Sequence, residues 1–287
     1  MVESKVDAIY SGASGKRTSM TTIERPELKI IHTSDVHLGA YDAGKSDDGV
    51  GLEHAFSSVV NLAIAEDADL VIIAGDFFDN ARVKEHTLEF AASELARIDR
   101  PTVIGPGNHD HVGPYSVYDR FDLADACPNV TLLRGRDGET AEFPALDLEI
   151  WGRAHTETLM DFSPFEGIPE RGSYAWSLAV GHGHFIHPKA LLHHSFHILE
   201  EELAASGRDY VALGHWEQMT RASAGDTVAA YSGASEGLGG HNGGHALRVH
   251  LKSDGEVALT ALPLEEGGAV IENDDIPILE GLSASDM

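Results

Sequence analysis

The chain has 287 residues and a formal net charge of −27, because 20 Lys and Arg stand against 47 Asp and Glu. Its 42% hydrophobic content is that of a globular protein large enough to bury a sizeable core, which excludes disorder throughout. The single cysteine, Cys127, excludes a disulfide framework and a thiolate-based zinc site, whereas 17 histidines offer nitrogen ligands. The negative charge opposes non-specific binding to nucleic acid phosphates and anionic lipid.

Neither a secretory signal nor a membrane span is apparent in the sequence. Residues 1–20 mix charged and small polar side chains and contain no apolar core of the kind that a signal peptide needs. The longest apolar runs, such as Leu70–Ala74, have the length of a strand and fall far short of the roughly 20 residues that cross a bilayer. We therefore expect a cytoplasmic protein with no membrane partner.

The first half of the chain alternates short β-rich runs with amphipathic helical patterns. Residues 1–27 are polar and lack periodicity, so they predict a flexible N-terminal arm. The alternation that follows predicts parallel strands joined by crossover helices. The predicted strands are Leu28–Thr33, Leu70–Ala74 and Thr102–Gly105, and the predicted helices are Leu52–Ala65 and His86–Ile98.

Strands dominate the second half, where one long helix is predicted from Pro188 to about Ala205. Ala246–Lys252 and Val257–Leu262 alternate apolar and polar residues around Ser253-Asp254-Gly255, which predicts a hairpin. The other predicted strands are Val130–Leu133, Leu148–Gly152, Ser177–Gly181 and Tyr210–Gly214.

No internal repeat, proline-rich linker or clear boundary divides the chain. We expect one α/β (α+β) domain over residues 28–265, with two packed mixed β-sheets flanked by helices. The arm at 1–27 precedes it, and residues 266–287 are predicted to form a loose acidic tail.

Metal-binding types of side chain follow five predicted strands at the point where each strand ends, which is where ligands of open α/β sheets bind. After the first strand, Asp35 and His37 are two residues apart, so in extended backbone their side chains face the same way. Taken alone, Asp-x-His is more often a polar loop. After the second strand, Asp76 is placed to bridge two cations, or only to cap the next helix.

The third strand leads into Gly105-Pro106-Gly107-Asn108-His109-Asp110-His111, which a turn alone rarely explains. Two later strands end in Gly-His pairs that contain His182 and His215. Any one of these histidines is more often an ordinary polar residue than a ligand. Together, the five placements of Asp, His and Asn fit a site for two divalent cations bridged by a carboxylate.

In this order, Asp-x-His, Gly-Asp-x-x-Asp, Gly-Asn-His-Asp, Gly-His and Gly-His-x-x resemble the motifs of the calcineurin-like metallophosphoesterase superfamily. The context is similar to the SbcD-type DNA repair exonucleases, and the resemblance spans about Leu28 to Leu264. It implies a four-layer αββα sandwich. The segments that carry the similarity to the SbcD type are Thr33–Gly39, Ala74–Asp79, Tyr210–His215 and Ala230–Glu236.

The resemblance implies two divalent cations, Mn first and Mg, Fe or Zn as alternatives. The superfamily usually has a histidine two positions after the one matched by His215, and here Glu217 stands there. Glutamate can ligate such metals, so Glu217 is a candidate ligand to the first metal, against the alternative that it points to solvent. The other implied ligands are Asp35, His37 and Asp76 for the first metal, and Asp76, Asn108, His182 and His215 for the second.

The same resemblance implies catalytic roles for His109 and Asp110. Water activated by the two metals is the nucleophile. His109 protonates the leaving oxygen, and Asp110 orients the ring of His109 or raises its pKa.

We therefore expect a Mn-dependent phosphodiesterase or nuclease that hydrolyses nucleic acid. One alternative, favoured by the charge of −27, is a phosphodiesterase or phosphatase for small or nucleotide phosphoesters. Another, favoured by Glu217, is a non-catalytic module with a degenerate metal site.

The expected partner is DNA or another phosphodiester substrate. SbcD-type proteins commonly continue into a DNA-contacting capping domain and a segment that docks an ATPase. Because this chain ends soon after the predicted hairpin, its length does not support the ATPase partner that the resemblance implies. A homodimer is compatible with the resemblance, and no surface pattern in the sequence establishes it.

Overall fold

The computed structural model describes residues 24–40, 50–156, 162–185, 196–222, 224–236 and 244–279. Helices and strands alternate in its first half, as the sequence predicts, and strands dominate its second half. In chain order the elements are β1 (Leu28–Thr33), α1 (Val50–Ala65), β2 (Leu70–Ala74), α2 (Glu85–Ile98), β3 (Thr102–Gly105), α3 (Val117–Arg120), α4 (Leu123–Ala126), β4 (Val130–Leu132), β5 (Glu139–Phe143), β6 (Leu148–Gly152), β7 (Trp176–His182), β8 (His184–Phe185), β9 (His197–Ile198), α5 (Glu200–Ala205), β10 (Tyr210–Gly214), β11 (Thr220–Arg221), β12 (Val228–Tyr231), β13 (His245–Leu251), β14 (Val257–Pro263) and β15 (Ile271–Glu272).

Two large mixed sheets form the centre of the molecule, which confirms the predicted fold class. The first has seven strands in the order β15-β14-β13-β1-β2-β3-β4, and the second has six in the order β11-β12-β10-β7-β6-β5. Strands β1 to β4 are parallel to one another, and so are β6, β7, β10 and β12. The predicted hairpin is present, because β13 and β14 pair antiparallel around the turn that contains Gly255.

The parallel strands of the first sheet are buried on both faces, which explains their nearly unbroken apolar sequences. On one face, Ile30 and Ile72 pack against the second sheet, in a core that includes Trp176. On the other face, Ile31 and Ile73 belong to the core beneath α1 and α2. Within the described residues, α5 covers part of the outer face of the second sheet, where its buried Leu203 joins a third apolar cluster.

Among the described residues, the long helix predicted from Pro188 to about Ala205 is confirmed over Glu200–Ala205 and is wrong over 196–199. Its portion before residue 196 lies outside the described residues. Beyond that point β9 pairs in parallel with β8, and α5 begins only after Leu199. The Leu199 backbone N–H donates to the Glu202 carboxylate at 2.8 Å, which marks the start of the helix. Pairing between distant segments therefore overrides the helical pattern of the sequence.

The loose acidic tail predicted after Glu265 instead packs against both sheets as far as Leu279. Strand β15 extends the first sheet, and the Leu279 N–H donates to the Arg221 carbonyl on the second sheet at 2.7 Å. Between these points Ile276 is 2% exposed and lies in the core between the sheets. The segment thus covers one edge of each sheet. Residues 280–287 of the predicted tail and 1–23 of the predicted arm lie outside the described residues.

No helix in the described ranges combines the length and the apolar character that a membrane crossing requires.

The side chain of His32 is buried between the two sheets. The Nδ1 atom of His32 lies 2.8 Å from the hydroxyl of Tyr210, and burial lowers the pKa of His32 from 6.5 to about 3. Between these values the unfolded chain binds a proton that the folded chain does not. The free energy of unfolding must therefore fall as pH drops through this window.

We expect His32→Gln, which keeps a polar side chain but does not titrate, to lose less stability than the wild type on acidification. Urea unfolding from about pH 7 to about pH 4.5 measures this, with the pH slope of the variant smaller by up to about one proton. Identical pH slopes for the two proteins would contradict a neutral buried His32.

Candidate metal centre

The five predicted motifs meet where parallel strands of the two sheets end side by side. The ends of β2 and β10 approach each other so closely that a side chain at Gly214 would collide with the Ala74 carbonyl. The glycine of the last Gly-His pair is therefore needed for the contact between the sheets. This contact brings His182 and His215, from the second sheet, to the motifs of the first sheet.

Four of the candidate ligands have a backbone conformation that non-glycine residues rarely adopt. The φ angle is 51° at Asp35, His37 and Asp76, and 93° at His215. Each such residue costs about 1–3 kcal/mol unless its surroundings hold it. Here the Asp35 N–H donates to the Gly75 carbonyl at 3.1 Å and the His37 N–H donates to the Asp76 carbonyl at 2.9 Å. Backbone strain is therefore concentrated at this site.

The carboxylate of Asp76 lies at the centre of the site and is 2% exposed. Its Oδ2 atom is 3.1 Å from Nε2 of His182 and 3.8 Å from Nε2 of His37. Its Oδ1 atom accepts the backbone N–H of His109 at 2.9 Å. A side chain at Gly107 would collide with this carboxylate, so glycine is required there. The first and third motifs therefore converge on Asp76.

Three groups of side chains in the described ranges place potential ligand atoms within 4.8 Å of one another. The groups overlap, because Asp76 belongs to two of them and His37 belongs to two. Sharing of one carboxylate between adjacent groups is the arrangement expected of a bridging ligand. The groups are Asp35, His37 and Asp76; Asp76, His182 and His215; and His37, Asp79 and His109.

The ring of His182 is oriented as in a histidine that binds metal. Its Nδ1 atom donates to the Ala74 carbonyl at 2.9 Å, so the hydrogen on Nδ1 is fixed. Its Nε2 atom faces Asp76 and also the Oδ1 atom of Asn108, which is 3.2 Å away. The structure thus brings Asn108 to the group that sequence analysis assigned to the second metal.

The charges of the site favour a bound cation. Burial lowers the pKa of His182, but the charge and hydrogen bond of Asp76 and the charge of Asp35 raise it to about 9. Burial raises the pKa of Asp35, and the negative charge of Asp76 adds to that rise. Burial lowers the pKa of His37 as well, but the hydrogen bond to Asp79 and the charges of Asp76 and Asp35 raise it. Protons on His182 and His37 therefore compensate the buried negative charge. A divalent cation can balance the same charge, so the residues present fit a metal.

His215 is suited to ligation for a different reason. Burial lowers its pKa to about 2, with further lowering by His182 and His184, so its ring stays neutral and can coordinate. Its backbone N–H lies 3.1 Å from both carboxylate oxygens of Asp35. The ring of His184 packs against it, with centroids 4.2 Å apart.

Asp110 is not beside the ring of His109, so the predicted orienting contact is wrong. Its buried carboxylate accepts backbone N–H groups from the second and third motifs and the hydroxyl of Tyr118 at 2.6 Å. These bonds close the third motif onto the second, which gives Asp110 a structural role. The backbone donors are Gly107, Asp76, Phe77 and Phe78, at 2.7, 3.2, 2.9 and 3.3 Å.

Asp79 takes the place beside His109 that the sequence had assigned to Asp110. Nδ1 of His109 donates to the Asp79 carbonyl at 2.8 Å, and the Asp79 carboxylate lies 3.4 Å from Nδ1 of His37. The hydrogen bond from His37 lowers the pKa of Asp79. The signal for Asp79 was its position as the last residue of Gly-Asp-x-x-Asp. The side chain of His109 is 44% exposed and so lies at the mouth of the site.

The structure does not bring Glu217 to the other candidate ligands. Its side chain is exposed and belongs to none of the three groups in the described part of the chain. Its backbone carbonyl accepts the Ala234 N–H at 3.0 Å. The direction of β10 therefore carries His215 into the site, but not the residue two positions later.

Two relatives show sequence similarity over part of the chain. A DNA double-strand break repair protein Mre11 from Methanosarcina mazei is 27% identical over 221 residues, which are 73% of this chain and 34% of that protein. A probable cyclic nucleotide phosphodiesterase from Fibrobacter succinogenes is 32% identical over 108 residues, which are 37% of this chain and 40% of that protein. The matched region thus spans less than half the length of either relative.

A solved structure shows the same fold. A dimetal phosphatase from Danio rerio matches with a TM-score of 0.54 at 12% identity, over 86% of this chain and 99% of that one. The family model for calcineurin-like phosphoesterases matches residues 28–219, which contain all five motifs. The match extends from β1 to the residues after β10, so it covers both halves of the candidate metal centre. The chain therefore belongs to the calcineurin-like phosphoesterase family.

Proposed function

We propose that this chain is a metal-dependent nuclease that hydrolyses phosphodiester bonds of DNA, with Mn²⁺ as the metal. The observation that carries the proposal is the buried Asp76 carboxylate, which lies between the imidazoles of His37 and His182 with the half-exposed His109 at the mouth. DNA is proposed as the substrate because the Methanosarcina mazei relative is named as a DNA double-strand break repair protein.

The candidate ligands divide between two cations that share Asp76. Oxygen and imidazole ligands suit Mn²⁺. These residues would hold the divalent cations, which would supply binding of the phosphate, activation of a water and stabilisation of charge during displacement. In this proposal Asp79, rather than Glu217, is the further carboxylate beside His37. The other ligands are Asp35, His37 and Asp76 for one cation, and Asp76, Asn108, His182 and His215 for the other.

The chain's own acid is His109. Because Nδ1 donates to the Asp79 carbonyl, Nε2 is the ring nitrogen left to give a proton to the leaving oxygen. The ring also packs edge-on against His37, with centroids 4.8 Å apart, which restricts its rotation. Asp110 contributes by holding the loop that carries His109 rather than by touching its ring.

Small nucleotide phosphodiesters are the second candidate substrates. The name of the Fibrobacter succinogenes relative and the net charge of −27 favour them. Turnover of bis(p-nitrophenyl) phosphate without cleavage of linear DNA would select this alternative. A non-catalytic module, the third alternative, predicts no rate above a blank on either substrate.

Asp76→Asn tests the shared ligand. We expect it to lose Mn²⁺ and to lose cleavage of end-labelled linear DNA, because the amide removes the charge that two cations share. Metal analysis and gel assays at low and moderate salt measure this.

A matched control for this variant is Asp67→Asn, which changes an exposed aspartate whose φ of 49° is nearly that of Asp76. The control should keep both its bound Mn²⁺ and its cleavage of DNA. Full DNA cleavage by Asp76→Asn would overturn the shared-ligand proposal.

His109→Ala separates acid catalysis from ligation. We expect the rate on DNA to fall about a hundred-fold to ten-thousand-fold while bound Mn²⁺ stays at the wild-type level. His86→Ala, on the exposed side of α2, is the control. A variant that loses Mn²⁺ would instead identify His109 as a ligand, together with His37 and Asp79.

Substitutions of Glu217 and Asp79 are expected to have opposite effects on Mn²⁺ binding and rate. Glu217→Gln should keep the full complement of Mn²⁺ and a rate within about two-fold of the wild type, because surface substitutions usually change little. Asp79→Asn should lower both the affinity for Mn²⁺ and the rate. Loss of a metal from Glu217→Gln, with none from Asp79→Asn, would assign the ligand to Glu217.

A further inference from the structure

Positive charge without a partner is scarce on this acidic chain, and part of it follows the metal centre directly. Among the described Lys and Arg side chains, those of Arg82, Lys84 and Arg136 make neither a hydrogen bond nor an ion pair. Two of these, Arg82 and Lys84, are exposed and lie three and five residues after Asp79. Elsewhere the described cations are mostly paired with carboxylates, such as Arg100 with Asp67.

Hydrogen bonds hold the backbone of the segment that carries Arg82 and Lys84. The guanidinium of Arg120, at the end of α3, donates to the carbonyls of Ala81 and Val83, the second at 3.2 Å. The Arg82 backbone N–H donates to Oδ1 of Asn80 at 2.8 Å. Two free cations are therefore presented from a fixed backbone.

An exposed aromatic side chain lies on the neighbouring segment. Tyr115, six residues after His109, is 86% exposed and has a φ of 66°. Its backbone N–H donates to the Asp119 carboxylate at 2.9 Å, which holds this rare conformation. A tyrosine that is both strained and almost fully exposed gains nothing from burial, so its position favours a role in binding.

These two segments are joined beside the metal centre. Nδ1 of His109 bonds to the Asp79 carbonyl at one point, and Arg120 bonds to Ala81 at another. Arg82, Lys84 and Tyr115 are therefore exposed side chains on two segments that are bonded to each other next to the site, and we call these three residues the basic rim.

We propose that the basic rim binds a nucleic acid strand with an unpaired base, in which Arg82 and Lys84 contact phosphates and Tyr115 stacks on the base. This inference rests on the proposed hydrolysis of DNA. Phosphate contacts give sequence-independent affinity, which a chain of charge −27 can supply only locally. Stacking on an aromatic ring requires a base outside the duplex. The preferred substrate is therefore a single-stranded or frayed end rather than an intact duplex.

Fluorescence anisotropy with a labelled single-stranded oligonucleotide tests the phosphate contacts, in a His109→Ala background with Mn²⁺ so that the strand is preserved. Arg82→Ala/Lys84→Ala should weaken binding and reduce the slope of log Kd against log salt by about 1.4, since each single-strand phosphate contact contributes about 0.7. The control is Arg100→Ala/Lys252→Ala, which also removes two positive charges. Arg100 precedes β3 and Lys252 follows β13, so both lie at the ends of the strands that are opposite to the metal centre. An equal loss in the control would overturn the proposed contacts.

Tyr115 is tested in the same assay. Tyr115→Ala should weaken binding about ten-fold, whereas Tyr115→Phe should bind like the parent because the ring does the stacking. The difference should disappear on a fully base-paired duplex. Equal binding by all three proteins on the single strand would contradict the stacking.

Cleavage by the wild type separates failure of this inference from failure of the proposed function. A wild type that hydrolyses bis(p-nitrophenyl) phosphate but no DNA overturns both. If the wild type cleaves DNA and the rim variants cleave it as well as the Arg100→Ala/Lys252→Ala control does, only the proposed role of the basic rim is overturned. The expected result is a loss on DNA at least about ten-fold greater than on the small ester.

Discussion

Buried negative charge at the junction of the two sheets is the constraint on which the rest of the structure depends. Asp35, Asp76 and Asp110 are 3%, 2% and 1% exposed, and ionised carboxylates in such surroundings need compensation. Asp110 obtains it from backbone N–H groups and Tyr118. Asp35 and Asp76 face imidazoles, and protons on His182 and His37 supply the compensation for them. This difference in how the charge is compensated distinguishes the structural carboxylate of Asp110 from the carboxylates of Asp35 and Asp76, which are suited to hold metal.

The fold delivers these groups because parallel strands end at a common edge. The side chains that follow β1, β2 and β3 are brought to those at the ends of β7 and β10 by the close approach of β2 and β10 at Gly214. The turns there adopt left-handed backbone at Asp35 and Asp76, which directs the carboxylates inward at a cost in local strain. Stability given up at the site is offset by the large apolar core between the sheets.

Sequence reasoning predicted nine of the fifteen strands in the described residues, because apolar runs bounded by Gly and Asp are strong local signals. Strand β1, for instance, has the predicted bounds Leu28–Thr33. It also predicted that the motifs would converge, since this follows from parallel strands. The directions of side chains within the loops could not be predicted from the sequence. Asp79 stands beside His109 in the place expected of Asp110, because the loop after β3 folds against backbone donors from the loop after β2. The tail and residues 196–199 of the long helix failed for a related reason, since pairing between distant segments decided both.

The central claim is that the buried carboxylates are compensated by divalent cations. Equilibrium titration of Mn²⁺, followed by the amount bound and by the thermal midpoint of unfolding, tests it most directly. The account predicts two Mn²⁺ per chain and a midpoint that rises with Mn²⁺ concentration, because ligands that bind only the folded state stabilise it. No bound Mn²⁺ and an unchanged midpoint would contradict it.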